Sequence, residues 1–174
     1  KALSTQALQM VKLNGTPNRM QTLAEMLEQV AGRVTLVIEL KSLWDGDDAL
    51  VKRALRVLES YDGPHCLMSF DPDVVACLRA LSPQTVRGIV ADRATDPYYN
   101  ALPLAKRLAI RSFAHLGETQ PHFVSFYWRD LPFAPVTEIR NAGHPVITWT
   151  LRSKAEASQA LRYCDQITFE GYTP

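Results

Sequence analysis

The sequence predicts an α/β fold in which six parallel strands alternate with helices. Two observations carry this. Short apolar runs rich in β-branched and aromatic residues alternate along the chain with segments whose apolar residues recur at helical spacing. Several of those segments also open on a residue that can cap a helix. Parallel neighbours need such a crossover, because a tight turn reverses the chain. With 174 residues, 47% of them hydrophobic, the chain can bury one sizeable core and is read as a single domain.

Residues 1 to 20 form an entry segment, weakly periodic and broken by Gly15 and Pro17, with room for one helical turn. The first clear helix starts at "TLAE", where Thr22 caps and Glu25 can reach back, and Leu23, Met26, Leu27 and Val30 form the stripe before Gly32. The strand "TLVIELKS", residues 35 to 42, follows. Leu36, Ile38 and Leu40 point to one face; Thr35, Val37, Glu39 and Lys41 point to the other, which becomes charged at its tip. "GDDALVKRALRVLES" is the next helix. "HCLMSF" is a strand, and Asp71 and Pro72 are cap and first position of the helix after it. "VRGIVA" then precedes a loop and one long helix, "ALPLAKRLAIRSFAHL". "HFVSFY" precedes a helix between Pro135 and Gly143, "PVITWT" leads to a second capping box at Ser153 and Glu156, and "QITFE" is the last strand.

Composition removes some functions. Nineteen basic against 18 acidic side chains gives no electrostatic case for nucleic acid. No apolar run reaches the roughly 18 residues that span a bilayer. Cys66, Cys77 and Cys164 lack C-x-x-C spacing and sit beside apolar residues, so they read as buried free thiols and point to a reducing, cytoplasmic setting. No strand is followed by G-x-G-x-x-G or G-x-x-x-x-G-K-[ST], which argues against a nucleotide-binding open sheet. An open sheet and a barrel both remain, and in either one function gathers at the carboxyl ends of the strands.

"TLAE" at 22 to 25, "IELK" at 38 to 41, "SFDPDV" at 69 to 74, "WTLR" at 149 to 152 and the terminal "DQITFEGYTP" occur in the order and spacing of a known pattern. In these motifs the chain resembles the glycerophosphodiester phosphodiesterases over nearly its whole length. The resemblance implies a partial (β/α)8 TIM-type barrel and, in the complete protein, hydrolysis of a glycerophosphodiester to glycerol phosphate and an alcohol with Mg²⁺ or Ca²⁺, a step of glycerol and lipid metabolism. It also implies two earlier strands, carrying His-Arg-Gly and Glu-x-Asp motifs, and a second catalytic histidine. None of these is found here, so the chain reads as the third to eighth strands, and an N-terminal segment or another chain is expected to cover the sheet edges. The chain departs from the pattern at Phe169 and Glu170, where Thr-Asp is usual, and at Arg152, where Asn is usual. A catalytically inactive barrel used as a binding or assembly module is the alternative.

The resemblance assigns Glu39 as metal ligand and Lys41 as the cation that shares phosphate charge. Without it, the two read as an ion pair on one strand face. Ser69 can meet a substrate oxygen or satisfy the turn that follows it. Trp149 can wall a substrate site or fill the core, and Phe70 and Trp128 read as packing. His65, His115, His122 and His144 match no catalytic position and read as structural.

Overall fold

The computed structural model describes residues 4–95 and 97–174, so residues 1–3 of the entry segment lie outside the described part. The entry segment contains one short helix, α1 (Thr5–Gln9), and an antiparallel bridge between Lys12 and Arg19. Helix α2 (Leu23–Val30) has the complete capping box: Thr22 Oγ1 accepts the Glu25 N–H, and the Glu25 carboxylate accepts the Thr22 N–H. Arg19 holds the same carboxylate at 2.6 Å; with the Thr22 bonds it lowers the Glu25 pKa to about 2.

Six parallel strands follow in chain order: β1 (Leu36–Glu39), β2 (His65–Ser69), β3 (Arg87–Ala91), β4 (Phe123–Tyr127), β5 (Val146–Leu151) and β6 (Gln166–Phe169). Each pairs with its neighbour in sequence, and β1 and β6 are the two ends of the ladder, so the sheet is a partial barrel. Helices α3 (Ala49–Leu58), α4 (Pro72–Leu81), α5 (Leu104–Ser112), α6 (Leu116–Thr119), α7 (Ala134–Asn141) and α8 (Lys154–Ala160) occupy the crossovers.

Strand alternation divides the side chains between two faces. Leu36, Ile38, Leu40 and Leu67 pack with Leu27, Val51, Ala54, Leu58 and Leu78 from α2, α3 and α4. Further along the sheet, Ile89, Ala91, Val124, Phe126 and Val146 pack with Val75, Val136, Ile139 and Ala160. The opposite face carries Val37, Glu39, Met68, Gly88, Val90, Phe123, Ser125, Tyr127 and Trp149. It is well filled around Val90 and Ser125 and open at Val37, which is 49% exposed. All three cysteines are free thiols, Cys66 and Cys164 buried and Cys77 partly so.

Two local expectations change. The long helix expected over "ALPLAKRLAIRSFAHL" is shorter: Ala101 ends a 3₁₀ turn (Pro97–Ala101), α5 starts only after Pro103, and it stops where Phe113 takes a left-handed backbone (φ 58°) that turns its ring into the core, before α6 begins at Leu116. At α8, Ser153 Oγ accepts the Glu156 N–H, but Glu156 does not complete the box. Its carboxylate takes the Arg152 N–H at 2.6 Å and the Arg129 guanidinium at 3.2 Å instead. Among the described residues, no helix is long and apolar enough to cross a membrane.

Candidate functional site

A cleft of about 370 Å³ opens at the carboxyl ends of the first strands. Glu39 is the last residue of β1, and Lys41 stands two residues beyond it. Lys41 Nζ donates to Glu39 Oε1 at 2.7 Å. The glutamate side chain is 26% exposed and the lysine 79%, so the pair stands at the mouth with the ammonium outermost. One carboxylate oxygen of Glu39 and the other ammonium protons face away from this bond.

The floor is made by buried polar groups. Ser69 ends β2; its hydroxyl donates to the Leu40 carbonyl at 2.7 Å and accepts the Asp71 N–H at 3.2 Å. It therefore ties the ends of β1 and β2 together. Asp71, 1% exposed, caps α4: Oδ1 accepts the Asp73 N–H, and Oδ2 accepts the Ser42 hydroxyl at 2.6 Å. Ser42 Oγ in turn accepts the Trp44 N–H, which turns Trp44 into the cleft wall. Lys106 of α5 lies 3.5 Å from Asp71, 2.7 Å from Asp73 and 5.2 Å from the centre of the Trp44 ring. Burial pushes the Lys106 pKa down, but bonds to Asp73 and the charge of Asp71 outweigh it and hold the ammonium above its ordinary value. Asp92 and the buried Tyr99, from the loop after β3, complete the lining with Phe70.

The structure thus brings Glu39, Lys41 and Ser69 to one cleft. Trp149 stands on β5, three strands from β2 in the ladder, rather than on a strand adjacent to the others. Its indole N–H donates to the Ser125 carbonyl, and its ring packs on Tyr127 at 5.0 Å and edge-on to Phe70 at 5.5 Å. Phe70 is the link between Trp149 and the cleft. Sequence reasoning missed Ser42, Trp44, Asp92, Tyr99 and Lys106. Asp71 was legible as a helix cap, but its contact with Ser42, 29 residues away, had no local signal.

Replacing Asp71 by alanine is expected to destabilise the chain by about 1–3 kcal/mol, because it removes a helix cap and strands buried donors. Asp71→Asn, which keeps the cap, is expected to cost less. Urea unfolding of the two variants checks this; equal midpoints for both and for the wild type would refute the role given to Asp71.

No histidine of the described residues lines the cleft. Among the described residues, no three His, Cys, Asp or Glu side chains are grouped to hold a metal ion. A hard divalent ion takes six or more oxygens. Glu39 offers one such oxygen beside Lys41, so the described residues alone do not form the metal site that the motif resemblance implies.

No family model matches the chain, and no curated protein matches it in sequence. Solved structures do match in fold. A Galdieria sulphuraria protein described as a glycerophosphodiester phosphodiesterase superposes over 97% of this chain and 66% of its own, at 20% identity and TM-score 0.75. A glycerophosphodiester phosphodiesterase from Parabacteroides distasonis covers 97% of this chain and 67% of its own, at 16% identity and TM-score 0.72. An Oleispira antarctica phosphodiesterase, solved with its product sn-glycerol-3-phosphate, covers 84% and 56%, at 20% identity and TM-score 0.65. At these identities the likeness establishes the fold. The chain spans between 56% and 67% of the length of these three proteins.

Proposed function

We propose that this chain is the larger part of a barrel that hydrolyses glycerophosphodiesters to glycerol phosphate and an alcohol. The observation that supports it is the Glu39–Lys41 pair at the carboxyl end of a barrel strand, at the mouth of a cleft, on a fold shared with phosphodiesterases. In this reading Lys41 uses its remaining N–H groups to share the negative charge of a phosphoryl oxygen. Ser69 acts by fixing the floor, with its hydroxyl near the substrate oxygens. The alcohol lies toward Phe70 and Trp149. Water adds its oxygen to phosphorus, the ester bond to the alcohol breaks, and the leaving oxygen takes a proton. The proton carriers belong to residues outside those described. Mg²⁺ or Ca²⁺, held by Glu39 together with ligands from outside this chain, would supply further charge for the phosphoryl oxygens when bound. The free thiols support a cytoplasmic setting.

The lack of a cleft histidine among the described residues also suits the second reading, an inactive barrel that binds without turnover. One assay separates them: release of glycerol phosphate from a panel of glycerophosphodiesters, with and without chelator, by the natural full-length protein and by the 174-residue chain. Chelator-sensitive release by the full-length protein and none by the shorter chain is expected. Full activity of the shorter chain would overturn the need for outside groups, and inactivity of the full-length protein across the panel would favour the binding module.

A further inference from the structure

A second cleft, of about 640 Å³, lies at the opposite, amino-terminal end of the sheet, below β3, β4 and β5. Leu116 of α6, Val124 of β4 and Ile139 of α7 supply its apolar wall. Arg87, the first residue of β3, supplies its only buried charge among the described lining residues. The guanidinium is unusual in its company. Arg87 is 5% exposed, and its Nε and Nη1 donate to the carbonyls of Thr119 (3.0 Å) and Pro83 (3.2 Å). Among the described residues, no carboxylate lies within 4 Å of it. The neighbouring charge is another guanidinium, Arg79, itself bonded to the carbonyls of Gly117 and Glu118. Burial, and then the charge of Arg79, push Arg87 below its ordinary pKa.

A buried cation without a counter-ion is costly, and the planar guanidinium fork matches a carboxylate. His122 Nδ1 accepts the Arg87 amide N–H at 3.2 Å, which leaves Nε2 to carry the ring proton as a donor; His144 lies at the same rim. The cleft thus combines an apolar wall with cationic and donor groups, and no carboxylate is among its described lining residues. We propose that it is a binding site for a small organic acid, with the carboxylate toward Arg87 and His122 and the apolar body against Leu116, Val124 and Ile139. The site is independent of the chemistry proposed at the carboxyl ends of the strands.

Octanoate is the probe, titrated into the ¹⁵N-labelled natural protein. Saturable amide shifts at Gly117, Gln120, His122 and Val124 are expected. Octanol, which lacks the charge, and acetate, which lacks the apolar body, should each bind roughly tenfold or more weakly. Arg87→Gln should abolish the shifts, but it also removes bonds that support the fold. Gln120→Glu avoids this: the residue is exposed at the rim, the change is isosteric, and the added negative charge should weaken octanoate roughly tenfold. Absence of saturable shifts, octanol binding as tightly as octanoate, or unchanged affinity in Gln120→Glu would each overturn the assignment.

Discussion

On the hydrolysis proposed above, replacing Glu39 by glutamine is expected to lower the rate of glycerol phosphate release by roughly 10²–10³-fold while the fold survives. The amide keeps the shape of the carboxylate, and its oxygen can still accept from Lys41. What disappears is the charge that a hard cation needs. The stability cost should be small because the pair is at the surface, with Lys41 79% exposed. Exposed pairs contribute about 0–1 kcal/mol, a shift in thermal midpoint of at most about 4 °C. Initial rates over a range of Mg²⁺ and Ca²⁺, alongside a thermal melt, check both halves. Undiminished activity at all metal concentrations would remove Glu39 from the chemistry; lost activity with a collapsed melt would make it a structural residue.

The second large effect is expected at Gly88. β3 is buried along its whole length, and Gly88 pairs with Phe123 of β4, whose ring lies over the glycine. A Cβ built at Gly88 would fall inside contact distance of several ring carbons. Two effects oppose each other. Alanine in a strand interior would gain roughly 0.5–1 kcal/mol in backbone entropy if it fitted. The collision forces Phe123 from its place between the strands, and overpacking of this kind costs roughly 1–3 kcal/mol. The collision should win, because Phe123 is only 9% exposed and its ring has little free space to enter. Gly88→Ala is therefore expected to lower the thermal midpoint by several degrees, and adding Phe123→Leu should recover part of the loss. A Gly88→Ala variant as stable as the wild type, with no coupling to Phe123, would show that the ring moves freely.

What was legible in the sequence was local. The capping box at Thr22 and Glu25 and the Asp71–Pro72 helix start lie within four residues, so the chain specifies them without knowing its fold. The alternation of strands and helices was legible for a similar reason, since each crossover carries its own helical pattern; that neighbours in sequence are also neighbours in the sheet was implied only by the motif resemblance. The break at Phe113 was not. Its sequence continues a helical spacing, and only the space beneath β3 and β4 decides that the ring turns inward there. The same holds for Glu156, drawn from its expected partner by Arg129, 27 residues earlier. In the cleft, the charged tip of β1 was visible from alternation alone. The Ser42–Asp71–Lys106 chain joins three crossovers, and Trp149 reaches the cleft only through Phe70, so neither leaves a pattern in any single window.

The strictly sequential ladder also bears on how the chain acquires its structure. Because each strand pairs with the one before it, β2 can dock on β1 while β3 and later strands are still unformed, and the same holds at every step to β6. No pairing within these six strands requires the last segment to find the first, so the entropy of closing very long loops is avoided. Such an order suits synthesis from the amino terminus, where each emerging strand and helix meets a finished template. Among the described residues β1 and β6 are each paired on one side only, so the ladder can grow from either end without undoing a pairing already made.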